Sequence, residues 1–243
     1  MKLKFTPLFT LLVTLGALPG AVLAASITWE DITLPLETGN VSDIITSGTF
    51  VDSASWTADD QIVNGVRFNG QTPFNSETGT MRFGHDSKIT VTNIAHPNDH
   101  YGPGPTFSAG SYFNLVSGGA WQLSGFNTAI NLGGLSVGQS YQVQIFEAFW
   151  DYNWDTSFGG SAPLQLGVSN DPDPKKTIPN YVVGTFTADA PTQLISLASD
   201  SGVVVFDAVQ VRTTSVPDSG TTAALLGTAL LGLAALRRRF GCA

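Results

Sequence analysis

Tyr141-Gln142-Val143-Gln144-Ile145 alternates apolar and polar side chains without a break, and this pattern decides the fold class. A period of two places successive side chains on opposite faces of an extended chain, so the segment is predicted to be a β-strand. The same alternation returns in Lys88-Ile89-Thr90-Val91-Thr92 and in Asp207-Ala208-Val209-Gln210-Val211. For each of these strands we expect one face in a hydrophobic core and the other face in water.

Other strands are expected where β-branched and aromatic residues cluster between turn residues. These clusters span residues 48–57, 61–68, 118–123, 181–187 and 193–197, with turn pairs such as Asn64-Gly65, Asn69-Gly70 and Gly133-Gly134. Strands then recur about every ten residues, which is typical of a sandwich or a barrel. No segment of the middle shows the 3.6-residue apolar period of a capped helix. We therefore predict an all-β domain over residues 25–212, a β-sandwich of the jelly-roll type.

Charge is distributed unevenly along the 243 residues, of which only 12 % are charged. Residues 25–216 hold 18 acidic side chains against six basic ones, a net charge of −12. Such a surface repels nucleic-acid phosphates and anionic lipids, so no nucleic-acid partner is expected. Cys242 is the only cysteine, and the domain before it can form no disulfide and use no cysteine nucleophile.

The first 24 residues have the order of a secretory signal peptide. Lys2 and Lys4 precede an apolar run over residues 5–18, and Val22 and Ala24 stand where signal peptidase requires small side chains. We therefore predict an N-terminal signal helix, cleavage by signal peptidase after Ala24, and export of the chain.

Residues 213–243 contain three segments of different chemistry. The first is Val216-Pro217-Asp218-Ser219-Gly220, the second is the uncharged run 221–236, and the third is Arg237-Arg238-Arg239. A transmembrane helix needs about 20 apolar residues, although roughly 17 can suffice, so the run predicts a slightly short span. The arginines would stay on the cytoplasmic side, which leaves the bulk of the chain outside the inner membrane.

This tail resembles the PEP-CTERM class of bacterial sorting signals, and its opening resembles the VPDSG-CTERM variant. The resemblance implies recognition by an exosortase, a membrane-embedded cysteine transpeptidase that cuts near the short motif. The protein would be anchored in the inner membrane through the C-terminal helix before processing, and then pass to the cell surface or extracellular matrix. A plain C-terminal membrane anchor would share the same topology and remains open as an alternative.

The middle of the chain resembles a recurrent exported bacterial β-sandwich domain that is found beside such tails. The segments that carry the resemblance are residues 64–68, 134–143 and 181–189, and residues 206–212 are similar to the closing strand. The resemblance spans roughly residues 26–212. It implies an architecture like that of carbohydrate-binding jelly rolls, and no established ligand or activity.

One segment, residues 149–155, interleaves aromatic side chains with acids and an amide. A sugar ring offers an apolar C–H face and a rim of hydroxyls, which flat aromatics beside carboxyl and amide groups can bind. We predict a carbohydrate-binding loop at one end of the sandwich, made of Trp150, Asp151, Tyr152, Asn153, Trp154 and Asp155. The alternative is that these aromatics only pack the core and a long loop.

Three carboxylates, Glu147, Asp151 and Asp155, invite a comparison with glycosidases, which use two carboxyl groups beside the scissile bond. A strand that runs into a loop fixes no distance between them, and nothing in the sequence separates their pKa values. We therefore predict no catalytic residue and a protein that is not an enzyme. No phosphate loop or dinucleotide motif occurs in the sequence, so no cofactor is expected.

Two segments carry potential metal ligands. Residues 170–174 offer oxygen atoms at alternate positions, which is one feature of a calcium loop, but they lack the glycine and final glutamate of an EF-hand, and a solvated loop with Asp-Pro turns is the alternative. His96 and His100 have the spacing of a zinc-binding helix, yet Pro97 and the Gly-Pro repeat at 102–105 oppose a helix. We predict no metal site.

The G-x-S-x-G pattern at residues 134–138 resembles the nucleophile elbow of esterases, but its context does not fit one. A nucleophile elbow is followed by a helix and later by a histidine, but here a strand is expected and every histidine precedes Ser136. We predict a turn.

The sequence thus predicts a non-enzymatic cell-surface or matrix protein whose partners are signal peptidase, exosortase, the membrane and a surface polysaccharide. A structural or adhesion protein without a small ligand is the alternative, and a glycan-active hydrolase is a third reading.

Overall fold

The computed structural model describes residues 25–30, 41–57, 59–71, 80–84, 86–94, 96–99, 111–116, 118–123, 125–147, 155–165 and 180–214. Within these ranges most elements are strands, which confirms the all-β class. The strands are β1 (Thr28–Trp29), β2 (Phe50–Ser55), β3 (Gln61–Val63), β4 (Val66–Phe68), β5 (Thr80–Arg82), β6 (Ile89–Thr92), β7 (His96–Asp99), β8 (Gly119–Leu123), β9 (Ala129–Leu132), β10 (Ser140–Glu147), β11 (Asp155–Phe158), β12 (Leu164–Gln165), β13 (Asn180–Thr187), β14 (Gln193–Ala198), β15 (Val203–Phe206) and β16 (Ala208–Thr213). The helical elements of the same ranges are a 3-10 turn (Val41–Asp43) and the short helix α1 (Ser111–Val116).

Two antiparallel sheets form the body of the fold. Their strand orders are β1-β13-β10-β16-β2 and β12-β11-β14-β9-β6-β5. Inward side chains of both sheets join one hydrophobic cluster, to which the first sheet contributes Val143 and Val211 and the second contributes Val91, Ile130 and Ile195. Two sheets that share a core in this way are arranged as the layers of a sandwich.

Trp56 lies in this shared core and is completely buried. Its ring meets Phe83 at a centroid distance of 5.1 Å and Phe206 at 5.6 Å, both in edge-to-face geometry. Aromatic pairs in this geometry add about 0.5–1.5 kcal/mol to the free energy that burial alone supplies.

A second hydrophobic cluster covers part of the outer face of the five-stranded sheet. It combines Val66 and Phe68 of β4, Leu115 of α1 and Phe146 of β10. Strands β3 and β4 form a hairpin whose turn is Asn64-Gly65, with φ values of 49° and 74°. Positive φ at both positions is the requirement of a type I′ turn, and it confirms the turn predicted there.

One expectation from the alternating pattern is wrong at the centre of this sheet. The outward side chains of β10 and β16 were expected in water, but Gln144 and Gln210 are each only 1 % exposed. The second cluster covers one part of this face, and residues 44–48 cover another. In β6, one of the strands for which alternation was predicted, buried residues do alternate with half-buried ones, and in β14 buried residues alternate with exposed ones.

Arg212 holds the covering segment 44–48 in place. Its guanidinium donates hydrogen bonds to the carbonyl oxygens of Ser47 at 2.7 Å, Thr46 at 2.8 Å and Gly48 at 3.0 Å. Gln210 Nε2 donates to Ile45 O at 3.1 Å and to Gln144 Oε1 at 2.6 Å. These bonds satisfy polar groups that the cover removes from water.

In the part of the chain that the structure describes, no helix has the length and apolar character needed to cross a membrane. The predicted signal helix (residues 1–24) and the predicted sorting helix (residues 221–236) both lie outside the described residues.

Candidate functional sites at the two ends of the sandwich

Strand β10 connects the two ends of the sandwich. It runs from Ser140 to Glu147, and at about 3.3 Å per residue its ends are about 23 Å apart. We call the end at Ser140 the chain-end face, because Ala25 and Thr214 lie beside it. We call the end at Glu147 the loop end, because the aromatic segment follows Glu147 in the chain.

The chain-end face carries an open groove of about 580 Å³. Its lining residues are Ala25, Ser26, Thr28, Ser140, Thr185, Phe186, Thr187 and Thr214. Six of these eight side chains carry a hydroxyl group and none is charged. Phe186 is buried, with its ring stacked on Tyr141 at 5.6 Å. The groove therefore offers hydrogen-bond donors and acceptors rather than an aromatic platform.

Strand register brings these hydroxyl groups together. Thr28 lies opposite Thr185, and Ser140 lies opposite Thr187. The hydroxyl oxygens of Ser140 and Thr187 are 3.0 Å apart, within hydrogen-bond distance. Thr214 N donates to Ser140 O at 3.0 Å, which extends the β10–β16 pairing to the last described residue.

Residues just after the predicted signal-peptidase cut belong to the fold. Ala25 O accepts a 3.0 Å hydrogen bond from Gln193 Nε2, while Ile27 and Trp29 pack against the shared core. Ile27 and Trp29 can pack against β13 because residue 184 is glycine. A Cβ at this position would lie 2.6 Å from both Ile27 Cγ2 and Trp29 Cε3. The position of Ala24 itself lies outside the described residues.

The predicted sorting residues also lie outside the described residues. They are Val216, Pro217, Asp218, Ser219, Gly220, Arg237, Arg238 and Arg239. The structure does establish where that segment leaves the fold, because Thr214 lines the groove and precedes Val216 by two positions. Ala25, which directly follows the predicted signal-peptidase cut, and Thr214, which precedes the predicted motif by two positions, therefore line the same groove.

At the loop end, the structure places one of the six predicted sugar-binding residues, Asp155. Trp150, Asp151, Tyr152, Asn153 and Trp154 lie outside the described residues. Glu147 ends β10 in the five-stranded sheet, and Asp155 begins β11 in the six-stranded sheet. In the chain, the predicted segment therefore stands between a strand of one sheet and a strand of the other.

The carboxylate of Asp155 is engaged by its own chain. Its Oδ1 atom accepts hydrogen bonds from Ser201 N at 2.9 Å and from Ser199 Oγ at 3.0 Å. Burial acts to raise the pKa of Asp155, but the hydrogen bonds from Ser201 and Ser199 outweigh it and lower this pKa below its ordinary value. The side chain is held as a carboxylate that orders the turn before β15.

The environment of Glu147 raises its pKa, whereas that of Asp155 lowers it. The side chain is completely buried, and its Oε1 accepts a 3.0 Å hydrogen bond from Thr156 Oγ1. Burial raises the pKa of Glu147 well above its ordinary value, the Thr156 hydrogen bond partly opposes this, and the charges of Asp207 and Asp155 raise it further. Nothing in the sequence signalled this burial, because Glu147 ends an alternating strand just where a loop was expected.

Two carboxyl groups with diverging pKa values are what acid–base catalysis requires. Glu147, however, exposes none of its surface, so this carboxyl is closed to a substrate in the structure. The arrangement favours a structural role for Glu147 in joining the sheets.

Two other segments that carry sequence motifs, the G-x-S-x-G pattern and the one around His96, form a turn and a strand. Gly134 and Gly138 have φ values of 70° and 84° in the connection before β10, which confirms the predicted turn at the G-x-S-x-G pattern. His96 lies in strand β7 rather than in a helix. No group of three or more His, Cys, Asp or Glu side chains among the described residues could hold a metal ion, and residues 170–174 lie outside them.

Comparison with known proteins identifies the tail. Residues 215–240 match the VPDSG-CTERM motif. No curated protein sequence matches the chain. Two similar solved structures are from Bacteroides uniformis: β-glucuronidase 2 covalently bound to cyclophellitol-6-carboxylate aziridine (TM-score 0.40, 11 % identity, 67 % of this chain and 17 % of that one) and a calcium-binding mutant of the same enzyme (TM-score 0.41, 9 % identity, 67 % and 18 %).

The chain spans less than a fifth of the length of those enzymes. The motif match confirms the sorting signal predicted from the sequence, and it implies an exported protein that an exosortase-type system processes.

Proposed function

We propose that this protein is a non-enzymatic component of the cell surface or extracellular matrix, and that its loop end binds a surface polysaccharide. The observation that carries the sorting part is the VPDSG-CTERM match, which begins at residue 215, directly after the last described residue of the sandwich. Signal peptidase removes residues 1–24, and residues 221–236 span the inner membrane until the exosortase acts. The antiparallel strands connect as a jelly roll.

The carbohydrate part of the proposal rests on composition and position. Residues 149–155 combine four aromatic rings with two acids and an amide. The strands that flank this segment belong to different sheets, and Glu147 and Asp155 are both anchored by hydrogen bonds. A loop with fixed ends at the end of a rigid sandwich is a common position for a ligand site.

Processing of the tail tests the sorting part. The full chain is expressed in a host with and without a matching exosortase, and the mass of the surface-associated product is measured. We expect loss of the tail only in the host with the enzyme, and retention of the tail in Asp218→Ala. Asp200→Ala, which changes an exposed acid of the sandwich, should be processed like the parent. Equal masses in both hosts would contradict exosortase sorting.

Tryptophan fluorescence tests the carbohydrate part. The purified protein is titrated with a panel of polysaccharides, together with Trp154→Ala and with the control Trp29→Phe, which changes an indole packed on the shared core. Stacking on a sugar should shift the emission of the parent and of the control in a saturable way, and Trp154→Ala should lose the shift. No shift with any polysaccharide would leave a structural or adhesion protein in its place.

A further inference from the structure

We propose that the chain-end face is a docking surface for the exosortase, which binds the groove of the folded domain together with the sorting motif. The proposal rests on the proposed sorting function and adds a second element to what the enzyme recognises. It concerns the hydroxyl-lined groove, for which the sorting signal alone assigns no role.

The first argument is the shortness of the connection. Hydrogen bonds from Thr213 N to Thr49 O at 2.8 Å and from Thr214 N to Ser140 O at 3.0 Å hold the chain in the sheet up to Thr214. Only Ser215 stands between Thr214 and the first motif residue, Val216. Two peptide steps reach at most about 7 Å, so an enzyme that encloses the motif must touch the surface around Thr214.

The second argument is the distance to the membrane. Six residues, 215–220, separate Thr214 from the uncharged run that starts at Thr221. Even fully extended, this connection reaches about 25 Å from Thr214 to Thr221. While the tail remains in the membrane, the chain-end face therefore stays close to the bilayer in which the exosortase is embedded.

The third argument is the chemistry of the face. Residues 25–216 carry a net charge of −12, yet the groove is lined by hydroxyls and contains no charged side chain among its lining residues. A neutral partner surface can therefore contact the groove without removing water from charged side chains, and that removal would cost free energy. The partner that fits is an uncharged polar surface of the exosortase.

The experiment measures the rate of tail removal from the full chain in a host that supplies the exosortase. Thr187→Lys and Thr28→Lys place a long charged side chain in the groove, at positions that are exposed in the structure. Ser196→Lys is the matched control, because Ser196 is exposed on the other sheet. A further variant inserts eight Gly and Ser residues between Thr214 and Ser215. Thermal unfolding of each purified variant verifies that the sandwich remains folded.

We expect the processing rate of the two groove variants and of the spacer variant to fall about tenfold, which corresponds to about 1.4 kcal/mol in the activation free energy of processing. Ser196→Lys should keep the parental rate. Parental rates in both groove variants and in the spacer variant would overturn the docking surface and leave sorting intact. Faster processing of the spacer variant would also overturn it, because the fold would then only hinder the enzyme. A parent chain that is never processed would overturn the proposed function together with this inference.

Discussion

The hydroxyl group of Thr156 donates a 3.0 Å hydrogen bond to Oε1 of Glu147, and this bond connects β11 of one sheet to the last residue of β10 in the other. Neither side chain exposes any surface. The same hydroxyl oxygen accepts a 3.0 Å hydrogen bond from Val205 N in β15. One threonine therefore joins three strands at the loop end, and the protonation of Glu147 matters to the stability of that junction.

Replacing Glu147 by Gln should change how stability depends on pH. Because the pKa of Glu147 is raised on folding, the folded state holds its proton at pH values where the unfolded state has lost it. The free energy of unfolding should thus fall as pH rises above about 4.3, by up to about 1.4 kcal/mol per pH unit until the folded pKa is reached. Glu147→Gln should remove this component.

Urea unfolding midpoints of the parent and of Glu147→Gln between pH 5 and pH 8 provide the measurement. The two curves should diverge as pH rises, with the variant gaining relative stability. Parallel curves across this range would show that burial does not hold the proton on Glu147.

Replacing Asp155 by Asn should have the opposite pH signature. The pKa of Asp155 is lowered in the folded state, so its carboxylate stabilises the fold above the unfolded pKa of about 3.9. This contribution is lost as pH falls through the folded pKa. We expect Asp155→Asn to be less stable than the parent at pH 7, and the difference in the free energy of unfolding to shrink as pH falls below about 3.9, as followed by chemical denaturation. A difference that persists unchanged at low pH would point to lost packing rather than lost charge.

Replacing Arg212 by Lys should weaken the cover over the five-stranded sheet. A lysine keeps the charge but cannot reproduce the planar fork that reaches Thr46, Ser47 and Gly48. Hydrogen bonds to a charged group contribute about 1.5–3 kcal/mol, so we expect a loss of about 2 kcal/mol in the free energy of unfolding. Arg67→Lys, at an exposed ion pair with Asp60, is the control and should change it by less than about 0.5 kcal/mol. Equal losses in both variants would contradict the special role of the guanidinium.

Replacing Gly184 by Ala should displace β1. The added methyl group would lie 2.6 Å from atoms of Ile27 and Trp29, so the edge strand must move away from β13. Overpacking of this kind costs about 1–3 kcal/mol. Limited proteolysis should then cut the chain near residues 25–30 faster than in the parent. Thr187→Ala, on an exposed position of the same strand, should leave both the rate and the melting temperature almost unchanged.

The longer strands and the hairpin turn could be predicted because their signals are local, whereas short strands such as β9 and β15 were missed. Alternation in Tyr141–Ile145 reports on backbone geometry within a few residues, and Asn64-Gly65 supplies the two positive φ angles that its turn needs. The cover over β10 could not be predicted in this way. Gln144 looks like a water-facing residue from its neighbours in sequence. It is buried because residues 44–48, about 100 positions earlier in the chain, cover it.

By itself, the sequence determined the all-β class, the positions of the strands of five or more residues and the sorting signal at residues 215–240, since each depends on chemistry within a short segment. Only the tertiary structure decided that Glu147 is buried with a raised pKa, and that Ala25 and Thr214 line one groove. The physical reason is sequence separation: Gln193 holds Ala25 across 168 positions, and Thr214 meets Ser140 across 74. Contacts of that range form only when the sheets pair and pack, and no local pattern encodes them.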